Sequence, residues 1–163
     1  MHKIPDGVPT TLFEAFAHIS AIKTPSVDDF KVLVMLEAAG KDLYDGLASG
    51  IANDDVRALL ARNGREELAH AHRVSRVIGK LTGTDYPVPD SSENPFLTAA
   101  PPPKAHVDKA TLLGLAETEF GGQDFYEGWA SNCTNEEAAA LLRQNGREEA
   151  QHGARLQDAA GLL

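Results

Sequence analysis

Asn63-Gly64-Arg65-Glu66-Glu67-Leu68-Ala69-His70 is answered 82 residues later by Asn145-Gly146-Arg147-Glu148-Glu149-Ala150-Gln151-His152. Six of the eight positions are identical. The match extends upstream, where Gly40, Asp42, Tyr44, Gly46, Ala48 and Ser49 recur as Gly122, Asp124, Tyr126, Gly128, Ala130 and Ser131. From Glu37 to Arg73 the two copies align without a gap, and 18 of 37 positions are the same. The repeat therefore supplies two Glu-x-x-His pairs, Glu67/His70 and Glu149/His152, and two further acids, Glu37 and Glu119.

Apolar residues recur at spacings of 3 and 4 through four segments, which predicts helices over about 26–49, 54–81, 109–131 and 136–160. Ser26-x-x-Asp29, Asn53, Asp108 and Asn135 supply their N-terminal caps. Thr11-x-x-Glu14 resembles a capping box for a short helix near 10–20. Residues 1–25 read as a lead-in carrying that helix, and 26–163 as an all-α four-helix bundle of two pseudo-symmetric hairpins. The segment 82–106 contains Gly83, Pro87, Pro89, Pro95 and Pro101-Pro102-Pro103. It is a long crossover that cannot be helical throughout, and the triple proline is a stiff connector.

The acids and histidines fall on the apolar stripes, where bundle packing wants Leu or Ile. Buried carboxylates without compensation cost several kcal/mol each, and a multivalent cation is the simplest compensation. Spacing agrees. Glu37 and Glu67 each lie 15 residues from position 52, and Glu119 and Glu149 each lie 15 from position 134. In antiparallel hairpins each pair sits level, roughly 22 Å from its turn. The i, i+3 spacing sets each histidine on the face of its glutamate. Glu37, Glu67, His70, Glu119, Glu149 and His152 are thus the candidate ligands of a two-metal site. Gly40 and Gly122, one step along the stripe, would leave space for metals and a small substrate.

These residues resemble the ferritin-like di-iron carboxylate superfamily, and most closely its rubrerythrin branch. The resemblance covers about 26–160. It implies a ferritin-like bundle in which the six ligands hold two iron ions, with manganese or zinc as alternatives, and carboxylates of both halves bridge them. It implies no catalytic residue beyond the metal ligands. Tyr44 and Tyr126 stand where the family often has a tyrosine hydrogen-bonded near the site; ordinary core packing is the other reading. Glu66 and Glu148 stand where relatives often carry an acid that holds the opposite half's histidine. The other reading of these two is surface ion pairing with Arg65 or Arg147.

The departures matter. Cys133 is the only cysteine, so the four-cysteine iron centre of typical rubrerythrins is absent and electrons must come from an external donor. Cys133 replaces Ile51 of the first copy and reads as a small hydrophobe. Gly122 occupies the position of an extra rubrerythrin glutamate, which argues against peroxidase-type metal movement. The near-identity of the halves resembles the symerythrins, and no storage-ferritin signature suggests cage assembly.

The resemblance implies a di-iron oxidoreductase reacting with peroxide or O2, either a rubrerythrin-like peroxidase or a ferroxidase. A non-catalytic iron-binding or iron-handling protein is the alternative, and a metal-free scaffold a third reading. A net charge of −9 argues against nucleic-acid partners. The longest apolar runs are too short for a membrane helix, and the first residues lack a signal-peptide pattern, so cytoplasmic residence is expected. Leu43, Ile78 and Phe125 are expected to be exposed and could form a homodimer face, which periodicity alone does not establish. His72 has no counterpart in the second copy and reads as surface. His2, His18 and His106 fall outside the repeat and read as structural or solvent-facing.

Overall fold

A computed structural model describes residues 2–99 and 107–163. Their helices are α1 (Leu12–Ser20), α2 (Val27–Ser49), α3 (Asp54–Thr82), α4 (Pro95–Thr98), α5 (Lys109–Ser131) and α6 (Glu136–Gly161). Among the described residues there is no strand. The four long helices begin and end within one residue of the positions their periodicity predicts. The caps explain the starts. Ser26 and Asp29 form a capping box, Asn53 Oδ1 accepts from Asp55 N and Val56 N, Asp108 Oδ1 accepts from Thr111 N, and Asn135 Oδ1 accepts from Ala138 N. Thr11 departs from expectation: its hydroxyl donates to Glu14 at 2.5 Å and caps no backbone N–H.

Helices α2 and α3 form one antiparallel hairpin and α5 and α6 the other, and the hairpins dock chiefly through α3 against α6. Helices α2 and α5 stand farther apart. Two apolar clusters fill the bundle. One joins α1, the first half of α2, the end of α3, the end of α5 and the start of α6; the other holds Tyr44, Leu47, Val56, Leu60, Leu112, Leu156 and their neighbours. The candidate ligands form a polar layer between the two.

Helix α1 buries Leu12, Ala15 and Ile19 in the first cluster. It is tied to the second hairpin where Trp129 Nε1 donates to Ile22 O at 2.8 Å and Asn132 Nδ2 donates to Lys23 O at 3.0 Å. After α3 the chain turns back. Ser75 Oγ donates to Tyr86 O at 2.5 Å, and Asn94 Nδ2, fully buried, donates to Met35 O at 2.7 Å. Phe96 of the unforeseen helix α4 is buried beside it.

These two coverings correct the expected exposed face. Ile78 is 3 % exposed, within the core that Tyr86 and Val88 close over. Leu43 and Phe125 are half-buried, and Phe125 meets Phe16 of α1 with ring centroids 6.1 Å apart. His72 and His18 are exposed, while His2 is half-buried with its Nδ1 2.9 Å from Tyr86 Oη. Cys133 is half-buried against the first cluster. His106 and the prolines 101–103 lie outside the described residues. Among the described residues no helix is long and apolar enough to cross a membrane.

Candidate metal centre

Close helix approach brings the acids inward. A Cβ at Gly64 would lie 3.0 Å from Tyr44 Cβ and 3.3 Å from Lys41 O, and one at Gly146 would lie 3.0 Å from Tyr126 Cβ and 3.3 Å from Gln123 O. The glycine of each Asn-Gly-Arg-Glu-Glu run therefore lets the two helices of its hairpin touch. Glu67 then lies over Gly40, whose Cβ would meet Glu67 Cγ at 3.1 Å, and Glu149 lies over Gly122, whose Cβ would meet Glu149 Cγ at 3.0 Å. The space foreseen beside these glycines is shared: the carboxylates of their own hairpins lie against them, and both glycines also line the cavity between α2 and α5.

His70 and His152 are fully buried and stack with ring centroids 5.1 Å apart and planes 14° off parallel. Their Nδ1 atoms face four carboxylates. Around His70 Nδ1 stand Glu149 Oε1 at 2.9 Å, Glu37 Oε2 at 3.4 Å and Glu67 Oε2 at 3.7 Å. Around His152 Nδ1 stand Glu67 Oε1 at 3.1 Å, Glu149 Oε2 at 3.3 Å and Glu119 Oε2 at 3.7 Å. Glu67 and Glu149 thus turn one oxygen to each imidazole, whereas Glu37 serves only His70 and Glu119 only His152. That is the donor pattern of two metal positions bridged by two carboxylates. Ligand atoms of Glu67, His70, Glu149 and His152 all lie within 4.8 Å of one another.

Neither Nδ1 has a hydrogen-bond partner, although oxygens surround it. No oxygen lies in line for a proton, so each Nδ1 is left unpartnered among carboxylates. The outer nitrogens are held instead. His70 Nε2 lies 3.1 Å from Glu148 Oε2 and His152 Nε2 lies 3.2 Å from Glu66 Oε2. Burial alone would raise the Glu148 carboxyl, but His70, Gln144 and Arg73 bring it down to about 2. An ionised carboxylate only accepts, so Nε2 donates and the Nδ1 lone pair is free for a metal. Glu66 is lowered in the same way: burial opposes, and Arg62 and Arg155 prevail.

Of the two readings of these acids, the hold on the opposite half's histidine is the one seen; Arg65 and Arg147, partners in the other reading, are exposed. The arginine partners of the two acids are Arg73 for Glu148 and Arg62 and Arg155 for Glu66; the roles of Arg73 and Arg155 across the halves the sequence did not show. Arg73 Nη1 donates to Glu148 Oε2 at 2.9 Å and to Asn145 Oδ1 at 2.8 Å. Arg155 donates to Glu66 Oε2 and, from Nε at 2.6 Å, to Asn63 Oδ1. A signal existed: both arginines stand three residues after a ligand histidine, in register in the repeat. Asn63 and Asn145 are fully buried and reach across to the backbone oxygens of His152 and His70, each at 3.3 Å.

The tyrosines span the gap between α2 and α5. Tyr126 Oη donates to Glu37 Oε1 at 2.6 Å, and Tyr44 Oη donates to Glu119 Oε1. Burial, then the facing carboxylates, raise both phenols well above their usual range, so both stay protonated donors.

Without metal the layer holds protons. Burial would lower both histidines, but the carboxylates around them prevail: His70 is raised well above its usual range and His152 up to about 12. Burial and the neighbouring carboxylates push Glu67 well up, and Glu119, raised by burial and then by Glu149, reaches about 7. Glu149 is held down despite its burial by His70 and His152. Nitrogen and carboxylate donors of this kind suit iron, manganese and zinc.

The Rubrerythrin family model matches residues 34–160, which include every residue of this layer. The chain belongs to the rubrerythrin family. No curated protein and no solved structure matches it. As a rubrerythrin-family bundle it carries a buried Glu/His group capable of holding metal, and the all-helical architecture fits the ferritin-like fold.

Proposed function

We propose that this chain is a di-iron carboxylate oxidoreductase that reacts with peroxide or O2. The observation that carries the reading is the pair of buried Nδ1 atoms, aimed between two carboxylates that each address both imidazoles. His70 with Glu37 would hold one ion, His152 with Glu119 the other, and Glu67 and Glu149 would bridge them. When bound, a ferrous pair supplies electrons to an O–O bond.

The chain's own residues do the rest. Glu148 and Glu66 fix the imidazole tautomers, and the arginines behind them keep those acids ionised. Tyr126 and Tyr44 orient the terminal carboxylates Glu37 and Glu119 and keep a proton at each Oη beside the site. The apolar clusters flank the layer above and below. Reduction back to the ferrous state would draw electrons from a donor outside this bundle.

The test is an anaerobic ferrous titration of metal-free protein, followed by peroxide and, separately, O2. Saturation at two irons per chain is expected, with Glu67→Ala and Glu149→Ala both losing it. Faster oxidation by peroxide identifies a peroxidase, and faster oxidation by O2 a ferroxidase. Stoichiometric binding without repeated turnover in the presence of a reductant identifies an iron-handling protein. Unchanged metal content in both variants sinks the site assignment.

A further inference from the structure

Where α2 and α5 stand apart, a cavity of about 110 Å³ runs from the surface to the polar layer. It is lined by Glu37, Glu67, Glu119 and Glu149 of that layer, with Tyr44 and Tyr126. Its walls are apolar, and helix α1 forms one of them with Leu12, Phe13 and Phe16. Opposite stand Leu36, Leu115 and Phe125. The one hydroxyl on the wall, Thr118, is engaged with Gly114 O at 3.3 Å. Phe13 is 58 % exposed and marks the mouth.

The shape is poorly matched to hydrogen peroxide. On the same measure a water needs only about 10–15 Å³; hydrogen peroxide needs little more space, and it needs hydrogen bonds at both of its hydroxyls. Apolar walls offer none, and stripping a hydroxyl of its partners is unfavourable. A cavity of about 150 Å³ lined by such side chains takes a molecule of benzene's bulk, so this one takes a branched body of about four carbons. The occupant that fits has an apolar body and a single polar end turned to the carboxylates and tyrosines.

We infer that the cavity is the binding site of a small organic hydroperoxide, whose alkyl body lies against α1 and whose O–O end reaches the polar layer. This inference rests on the peroxide-reducing reading of the same site. In the reaction the O–O bond breaks. The hydroperoxide takes two electrons from the ferrous pair, which becomes ferric, and two protons, and leaves as an alcohol and water.

Binding can be read without turnover. Zinc-loaded protein, which is redox-inert, is titrated with tert-butyl hydroperoxide while methyl NMR signals are followed. Saturable shifts are expected at Leu12, Leu36 and Leu115, with none at Leu60 and Leu156 of the other cluster. With ferrous protein, tert-butyl hydroperoxide is expected to react faster than hydrogen peroxide. The ratio should fall about tenfold in Phe13→Asp, a substitution at an exposed position that the fold tolerates.

Absence of saturable shifts, or a preference for hydrogen peroxide that Phe13→Asp leaves untouched, overturns the inference. Peroxide reduction at two irons per chain with no alkyl binding would remove the inference and leave the functional reading standing. Failure to bind iron would remove both.

Discussion

Tyr126→Phe probes the joint between the two hairpins. Tyr126 is 1 % exposed, and its hydroxyl donates to Glu37 Oε1 at 2.6 Å while accepting from Asn145 Nδ2 at 3.1 Å. The substitution removes the oxygen and keeps the ring, which packs 5.2 Å from Phe125 and 6.4 Å from His70. Asn145 Nδ2 keeps a partner in His70 O at 3.3 Å, so the loss falls on Glu37. A hydrogen bond to a charged group is worth about 1.5–3 kcal/mol. For a chain of this size each kcal/mol moves Tm by about 2–4 °C, so the metal-free variant should melt about 3–12 °C lower. Circular dichroism melts in chelator measure it. A carboxylate that has lost its orienting donor should also bind zinc about 10–100-fold more weakly, read by chelator competition. Tyr44→Phe should act alike through Glu119. A Tm change under about 1 °C together with unaltered zinc affinity would refute the claim that the phenol orients Glu37.

Three further outcomes follow from the same geometry. Zinc loading at pH 7 should expel about three protons, from His70, His152 and Glu67, which hold protons without metal, and a further fraction from Glu119, raised to about 7. Proton release from Glu119 is then complete below that value and fades above it, so apparent affinity rises with pH; calorimetry in buffers of different ionisation enthalpy reads the count. Glu148→Ala leaves His70 Nε2 without its partner and Arg73 with Asn145 Oδ1 alone, and should cost on the order of 3 kcal/mol in denaturant melts, against about 0.5 or less for exposed Arg147→Ala. Because Glu148 is held at about 2, below its ordinary 4.5, its contribution is present above 4.5 and disappears as pH falls between those values. Acid titration of Glu148→Gln should show that window missing. Finally, Gly146→Ala should destabilise by about 1 kcal/mol, since the crowding against Tyr126 Cβ and Gln123 O outweighs the gain in helix propensity. Gly128→Ala, with nothing within 4 Å, should stabilise by up to about 1 kcal/mol in the same melts.

Much of the fold was legible because the signals were local. Caps such as Ser26 and Asn135 act on the next three residues, and heptad spacing fixes a helix whatever it packs against. The level placing of Glu37 with Glu67 needed only a short turn and a constant rise. What stayed hidden depends on contacts between elements. Arg73 and Arg155 recur in register, but recurrence names a residue without naming its partner, and sequence proximity pointed to Arg65 and Arg147 instead. Ile78 reads as exposed on its own helix, and only the return of 84–96 along α3 covers it. Likewise nothing in the residues of α1 tells that it walls a cavity, because the gap it closes lies between α2 and α5.

The reciprocal bonding bears on how the two copies can change over time. Glu66 answers to His152 and Arg155, Glu148 to His70 and Arg73, Glu37 to Tyr126, and Glu119 to Tyr44. Every residue in these exchanges is the same in both copies. Partners within one helix have drifted apart: Arg62 serves Glu66 where Gln144 serves Glu148. So have core positions such as Leu47 and Trp129, or Leu43 and Phe125. Each half thus acts as proofreader of the other at these polar exchanges, while apolar positions stay free to diverge even where the halves touch, as Trp129 does on Phe30.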